Sequence, residues 1–190
     1  MHRLINSACV PTSTTVSGET VLTFTTVGSC DLTLPTAVTS VRVLVVGGGG
    51  SGAGGISGSW FGAGGGGGAV VENQSLTVTP GAAISVTVGR GGAKSIYNTT
   101  YTGADFDLRS GAASVFGSVT AGGGKTPINS TTPVGGVSGN GNAGGIATPK
   151  VYPWGYGGAG AGGGAGGLTP ADGTVIGGGG GGSGGGGALT

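Results

Sequence analysis

The sequence predicts an all-β N-terminal part, a small antiparallel sandwich, followed by a bundle of polyglycine II helices with loops, and essentially no α-helix. Three observations lead to this fold class. Alternating apolar and polar runs occupy the first part of the chain, no segment repeats its apolar residues at helical spacing, and 52 of the 190 residues are glycine, concentrated in tracts. A two-residue period is typical of strands, whereas each glycine weakens an α-helix by about 1 kcal/mol.

The predicted strands form two groups and a final hairpin. The first group is 19–26 (ETVLTFTT), 30–35 (CDLTLP) and 40–46 (SVRVLVV), and the first of these runs places Val21 on one face and Leu22 and Phe24 on the other. The second group is 69–89, where Thr79, Pro80 and Gly81 are typical of a turn between two alternating runs. A short hairpin is predicted over 113–121 (ASVFGSVTA).

Glycine tracts and loops alternate through the rest of the chain. The eight prolines all lie outside the five long tracts. Because proline has no backbone N–H, its exclusion indicates that the N–H groups of the tracts need partners. The left-handed helix with three residues per turn makes no internal hydrogen bonds, so its N–H and C=O groups point sideways toward neighbours. We therefore predict laterally bonded rods, with a disordered glycine coil as the alternative. The tracts are 47–58, 62–68, 122–124, 135–145, 155–167 and 177–187.

Composition argues against disorder and against two classes of partner. Only 7% of the residues are charged and the mean hydropathy is positive, whereas disordered chains combine high charge with low hydrophobicity. The net charge is +1 and the basic residues are scattered, so we expect no nucleic-acid partner. Apolar runs fall short of the ~18 residues that a membrane span needs, so we expect a chain that does not span a membrane.

One tract carries a pattern found in dinucleotide-binding sites. Gly47, Gly49 and Gly52 fit GxGxxG after an apolar strand, and Glu72 follows 20 residues later. Such a site needs a helix whose N-terminus faces the pyrophosphate. Nine of the 16 residues in 53–68 are glycine, and no apolar residues recur there at helical spacing, so no helix is expected. We therefore expect no nucleotide, no cofactor and, since no other catalytic constellation is present, no enzymatic activity.

Cys9 and Cys30 are the only cysteines. An even pair is typical of one disulfide, which an extracellular setting would favour, and two free buried thiols are the alternative. His2 is the single histidine, so no ordinary zinc site can be assembled and we expect no metal.

Seven aromatic residues fall in the segments between the glycine-dominated stretches or at their edges. Aromatic side chains on a rigid frame give a large contact area with few torsions to order, so they are candidates for contacting a receptor glycan or protein. Capping of the rod ends, or packing between subunits, is the alternative role. These residues are Trp60, Phe61, Tyr97, Tyr101, Tyr152, Trp154 and Tyr156.

The chain also resembles a known family. The order VTSVRVLVVGGGGSGAGG, then GGGGAVVENQSLTVTPGAAISVTVGRGG, then ASVFGSVTAGGG, over about 38–124, resembles the glycine-rich domain common in phage tail-fibre proteins and bacterial surface proteins. The later half is similar in layout to the tip adhesins of T-even-like tail fibres. That resemblance implies packed polyglycine II helices whose loops contact a host receptor.

These observations lead to a domain division and a functional hypothesis. We expect a β-strand attachment segment over 1–46, a glycine-rich domain with inserted strands over 47–124, and polyglycine tracts with variable loops over 125–190. The expected function is that of a non-enzymatic structural and receptor-binding module on a virion or in an extracellular assembly, a phage tail-fibre or tip protein whose partners are other fibre chains and a host surface. A self-assembling cell-surface filament subunit, whose N-terminal segment bonds to the next subunit, and an ice-binding protein are the alternatives.

Overall fold

The computed structural model describes residues 10–52, 64–94, 104–127, 136–140, 155–156 and 168–169. Within these ranges the backbone consists of strands, extended glycine-rich segments and one short helix, so the predicted all-β character with essentially no helix is confirmed. The strands are β1 (Thr12–Val16), β2 (Glu19–Thr23), β3 (Gly28–Thr33), β4 (Ser40–Val46), β5 (Val70–Thr77), β6 (Ala83–Val88), β7 (Ser114–Phe116), β8 (Val119–Ala121), β9 (Gly155–Tyr156) and β10 (Leu168–Thr169), and the helix is α1 (Ala104–Arg109).

The strand predictions hold for β2 to β8, and four elements are missed: β1, α1 and the two-residue strands β9 and β10. β1 has the sequence TSTTV, in which a single valine among hydroxyl residues produces no apolar alternation. α1 lies inside a segment predicted as a polar and aromatic loop. Six residues are too few to show a helical period, and so short a helix is unstable unless its surroundings fix it.

Tight turns with left-handed residues join β1 to β2 and β5 to β6. Ser17 and Gly18 connect β1 to β2 with φ values of 51° and 83°, which is the pattern of a type I′ hairpin turn. Pro80 and Gly81, with φ of 72° at Gly81, form the predicted turn between β5 and β6, which the Ala82 N–H to Thr79 C=O hydrogen bond of 3.1 Å closes. Proline followed by a left-handed glycine is typical of a type II turn.

Six of the described strands form two packed layers. β3, β6, β7 and β8 make a four-stranded antiparallel sheet in the order β3-β6-β7-β8, while β4 and β5 make an antiparallel ribbon that packs against β7 and β8. The small core lies between the layers, and Phe116 and Leu76 pack beside it. β4 and β5 lie on either side of the predicted domain division at residue 46, which stays a prediction. The buried core residues are Val45, Ala69, Val119 and Ala121.

The β4–β5 ribbon leaves an apolar outer face in solvent. Leu44 is 67% exposed, Val46 48% and Val70 39%, whereas Val45 is buried between them. The β1–β2 hairpin lies beside this face, because the guanidinium of Arg42 forms an exposed ion pair with the carboxylate of Glu19.

Six extended segments form a laterally hydrogen-bonded unit, here called the glycine array: 47–51, 64–69, 89–93, 109–113, 121–126 and 136–139, numbered first to sixth. Backbone donors three residues apart in one segment bond to acceptors three residues apart in a neighbouring segment. The N–H groups of Gly47 and Gly50 donate to the carbonyl groups of Ala69 and Gly66 respectively, and those of Gly48 and Ser51 donate to Ala112 and Arg109. In the same order, Gly66 and Ala69 donate to Lys125 and Gly122, and Gly136 and Gly139 donate to Gly64 and Gly67.

Candidate functional site

The glycine array has two distinct ends. Its first, third and fifth segments run away from the strands that precede them, and its second, fourth and sixth segments run back toward them. One end, here called the strand end, therefore adjoins the ends of β4, β6 and β8 and the starts of β5 and β7. The opposite end, here called the loop end, carries the points where the outgoing segments stop. Hydrogen bonds near the loop end join Gly50 to Gly66, Ser51 to Arg109, Gly66 to Lys125 and Gly136 to Gly64, at N···O distances of 2.8 to 2.9 Å.

Three excursions of the chain begin and end at the loop end. The chain leaves the array after Ser51, Ala93 and Thr126, and it re-enters the array at residues 64, 109 and 136. Because the array fixes both ends of each excursion, segments that are far apart in sequence are rooted on one small surface. This convergence makes the loop end the candidate functional site, since binding residues are commonly carried on loops held by a rigid scaffold.

Close packing of bare backbone makes this scaffold rigid. A methyl carbon built on Gly66 would lie 2.9 Å from the carbonyl oxygen of Gly136, and one built on Gly124 would lie 2.6 Å from that of Gly67. Real side chains do not approach backbone so closely, so neither position accepts alanine without displacing a neighbouring segment. In contrast, a methyl carbon on Gly49 would meet its nearest atom, the Gly66 oxygen, at an ordinary 3.8 Å.

Helix α1 stands at the loop end, and contacts with the array hold its C-terminal end there. Its last four carbonyl groups have no partners within the helix and must find them elsewhere. Phe106 accepts locally from the N–H and hydroxyl of Ser110, four residues on. The other three carbonyl oxygens, those of Asp107, Leu108 and Arg109, accept hydrogen bonds from Arg90, Ala93 and Ser51 respectively. Non-local contacts thus stabilise a helix that its own sequence could not sustain.

Charge is distributed unevenly between the two halves of the described chain. The strands carry Glu19, Asp31 and Glu72 against a single base, Arg42. The third to fifth segments, α1 and the adjoining Lys94 carry four bases against two acids, Asp105 and Asp107. The four bases are Arg90, Lys94, Arg109 and Lys125. Lys94 and Lys125 are exposed, whereas Arg109 is only 3% exposed.

Six of the seven aromatic candidates lie outside the described residues, and their role in receptor contact stays a prediction. Trp60 and Phe61 fall in the first excursion and Tyr97 and Tyr101 in the second. Tyr152 and Trp154 come later in the chain, after the sixth segment. The last candidate, Tyr156, belongs to β9, where its backbone pairs with Leu168.

The cysteine prediction concerns β3. Cys30 pairs across the sheet with Val86 in β6, and its sulfur is engaged in a disulfide bond. Cys9 lies outside the described residues, so the predicted pairing of Cys9 with Cys30 stays a prediction.

Two segments of the array were not recognised as glycine tracts. The third and fourth segments read GRGGA and RSGAA, and they contain too few glycines to stand out by composition. A three-residue spacing would have found part of them, because Gly89 and Gly92 are both positions where a methyl group would collide with neighbouring backbone. The sixth segment has the same spacing at Gly136 and Gly139.

The GxGxxG match has a structural role. The N–H groups of Gly47, Gly48 and Gly50 all donate to carbonyl groups inside the array, at N···O distances of 2.8 to 2.9 Å. Among the described residues, no cluster of three or more histidine, cysteine or acidic side chains could hold a metal ion. In the same part of the chain, every helix is too short to cross a membrane.

Comparison with known proteins agrees with this architecture. A search of curated proteins returned no match. A family model described as a glycine-rich domain matches residues 25–188, which includes β3 to β10 and the whole array. Because the match covers most of the sequence, the chain belongs to the glycine-rich domain family.

Proposed function

We propose that this chain is a non-enzymatic structural and receptor-binding module of an extracellular or virion-surface assembly, a phage tail-fibre or tip protein. The observation that carries the proposal is the convergence of three excursions at the loop end, opposite the strand end of the array. Such a polarity suits a protein that attaches to a fibre through one end and meets a host surface with the other. The resemblance of 38–124 to the glycine-rich domains of tail-fibre proteins supports the same assignment.

The scaffold role rests on the conformation that we propose for the array, packed polyglycine II helices. In that conformation three residues complete a turn, so every third N–H points to the same neighbour. The three-residue spacing of the lateral hydrogen bonds and the collisions met by built methyl groups support this proposal. Circular dichroism tests it, because a polyproline-II-like signal that melts cooperatively is expected, whereas a gradual loss would indicate a glycine coil.

Receptor binding is tested with intact host cells and fluorescently labelled protein. We expect the double variants Trp60→Ala/Phe61→Ala and Tyr97→Ala/Tyr101→Ala to weaken binding at least tenfold, since buried interface aromatics typically contribute over 1 kcal/mol each. The matched control is Leu44→Ala, which removes an exposed large side chain from the β4–β5 ribbon, away from the loop end. Binding by both double variants equal to that of the unaltered protein, at unchanged melting temperature, would refute the assignment of the loop end.

The exposed apolar residues favour a second candidate, the self-assembling filament subunit. Val16 on the hairpin is 57% exposed and Leu44 on the ribbon is 67% exposed, and exposed apolar surface promotes association. β1 is paired with β2 inside the chain, so residues 12–16 of a single chain already have a strand partner. Negative-stain images distinguish the candidates, because polymers favour the filament and discrete particles the adhesin. The ice-binding alternative stays a prediction that a thermal-hysteresis measurement tests.

A further inference from the structure

The guanidinium of Arg90 joins the two stems of the second excursion. Arg90 lies in the third segment, before the chain leaves the array at Lys94, yet its side chain reaches the segment by which the chain returns. Its Nη1 donates to the carbonyl oxygens of Leu108 at 2.6 Å and Ser110 at 3.3 Å, and its Nη2 donates to that of Asp107 at 3.0 Å.

Arg109 makes the reciprocal connection. It lies at the start of the fourth segment, on the returning stem, and its Nη1 donates to the carbonyl oxygen of Lys94 on the outgoing stem at 3.0 Å. Arg109 is only 3% exposed, so this contact is shielded from water. Two backbone hydrogen bonds run alongside, from Ala93 to Leu108 at 3.1 Å and from Ala112 to Arg90 at 2.9 Å.

We infer that Arg90 and Arg109 are positioning residues that hold the two stems of the 95–103 excursion at a fixed separation and orientation. This inference rests on the proposed function, because it concerns how the predicted contact residues Tyr97 and Tyr101 are presented to a partner. The stems meet through charged donors on carbonyl acceptors, which are stronger hydrogen bonds than those between neutral groups.

Arginine is required at position 90 because of its shape. A planar guanidinium carries five N–H donors in a fixed fork, so one side chain can reach three carbonyl groups in different directions. A lysine ammonium keeps the charge but is a compact point donor on a flexible stem. Arg90→Lys is therefore expected to reproduce only part of the connection, and Arg90→Gln less.

The test uses two measurements on the full chain. In limited chymotrypsin digestion, Arg90→Gln is expected to raise the cleavage rate at Tyr97 and Tyr101 by about tenfold, with Arg90→Lys intermediate, because hydrogen bonds to charged groups are lost. In the host-cell assay, Arg90→Gln is expected to weaken binding by about tenfold. The matched control is Arg42→Gln, which removes an exposed guanidinium from the strands and should change neither quantity.

The outcomes separate this inference from the proposed function. Absence of cell binding by the unaltered protein would overturn the proposed function, while accelerated digestion of Arg90→Gln would still establish that Arg90 holds the stems. Digestion of Arg90→Gln at the unaltered rate would overturn the inference. Accelerated digestion of Arg90→Gln with undiminished cell binding would also overturn the inference, because the stems would then have no part in presenting the contact residues. Arg109 is buried, so Arg90 variants carry the test if Arg109→Gln fails to fold.

Discussion

Two neighbouring glycines of the first segment are expected to respond in opposite ways to the same substitution. A methyl carbon on Gly48 would lie 2.7 Å from the carbonyl carbon of Arg90, whereas on Gly49 the nearest atom is 3.8 Å away. Gly48 also donates to Ala112 and accepts from Gly124, both at 2.9 Å. Gly48→Ala must therefore move a packed backbone and disturb two hydrogen bonds, whereas Gly49→Ala displaces nothing.

The size of the effect follows from these contacts. Two weakened backbone hydrogen bonds contribute about 2 kcal/mol, and overpacking adds about 1–3 kcal/mol. Alanine lowers the conformational entropy of the unfolded chain, which offsets about 0.4–1 kcal/mol of this destabilisation. Gly48→Ala should thus lower the free energy of unfolding by about 2–5 kcal/mol, whereas Gly49→Ala should raise it by about 0.4–1 kcal/mol.

Thermal unfolding followed by calorimetry or circular dichroism measures both variants. For a chain of this size, the loss expected for Gly48→Ala corresponds to a fall in Tm of about 4–20 °C. Gly91→Ala is a second control, because its built methyl carbon also lies 3.8 Å from the nearest atom. If Gly48→Ala and Gly49→Ala had equal Tm values, close backbone packing would not be what holds the array together.

Three further predictions concern the array, a buried hydroxyl group and a turn. The amides of Gly50 and Gly66 donate hydrogen bonds within the array at 2.8 Å, so they should exchange with deuterium at least a hundredfold more slowly than free peptide amides. Exchange of both amides within seconds at neutral pH would contradict the lateral hydrogen bonds. Thr126 is 1% exposed, and its Oγ1 has no hydrogen-bond partner in the described part of the chain. Thr126→Val should therefore raise the free energy of unfolding, measured by urea titration, by about 1 kcal/mol. Thr126→Ser keeps the hydroxyl and should lower the free energy of unfolding. Ser17 has a φ of 51°, which asparagine tolerates better, so Ser17→Asn should slow amide exchange in the β1–β2 hairpin by about twofold, whereas Ser13→Asn in β1 should not.

The strands show how far the sequence alone leads. Alternation in ETVLTFTT places Leu22 and Phe24 together, and both are half-buried while Val21 is 40% exposed. The same alternation holds in β4, because Ser40 and Arg42 mark one face of SVRVLVV and Val41, Val43 and Val45 lie on the other. Packing against β7 and β8 decides only how deeply each is covered, with Val45 buried and Leu44 left in solvent on the outer face.

A register shift in β5 is a feature that only the folded chain reveals. Val41 of β4 pairs with Leu76 and Val43 pairs with Asn73, so β5 contributes one residue more than β4 between these pairs. The extra residue reverses the alternation, and Leu76 therefore packs beside the core instead of facing outward with Glu72. Contacts between the two strands determine where such a bulge forms, and the alternation of residues within one strand does not reveal it.

The sequence by itself determined that the glycine tracts need lateral partners, because proline is absent from the long tracts and glycine alone leaves room for bare backbones to meet. It also determined most of the strands through their two-residue period. Only the tertiary structure decided which segments are neighbours, that GRGGA and RSGAA join the array, and that three excursions share one end. The physical reason is that a glycine tract has no side chains to mark a face or a register, so its partners are selected by hydrogen bonds between segments that are distant in the chain.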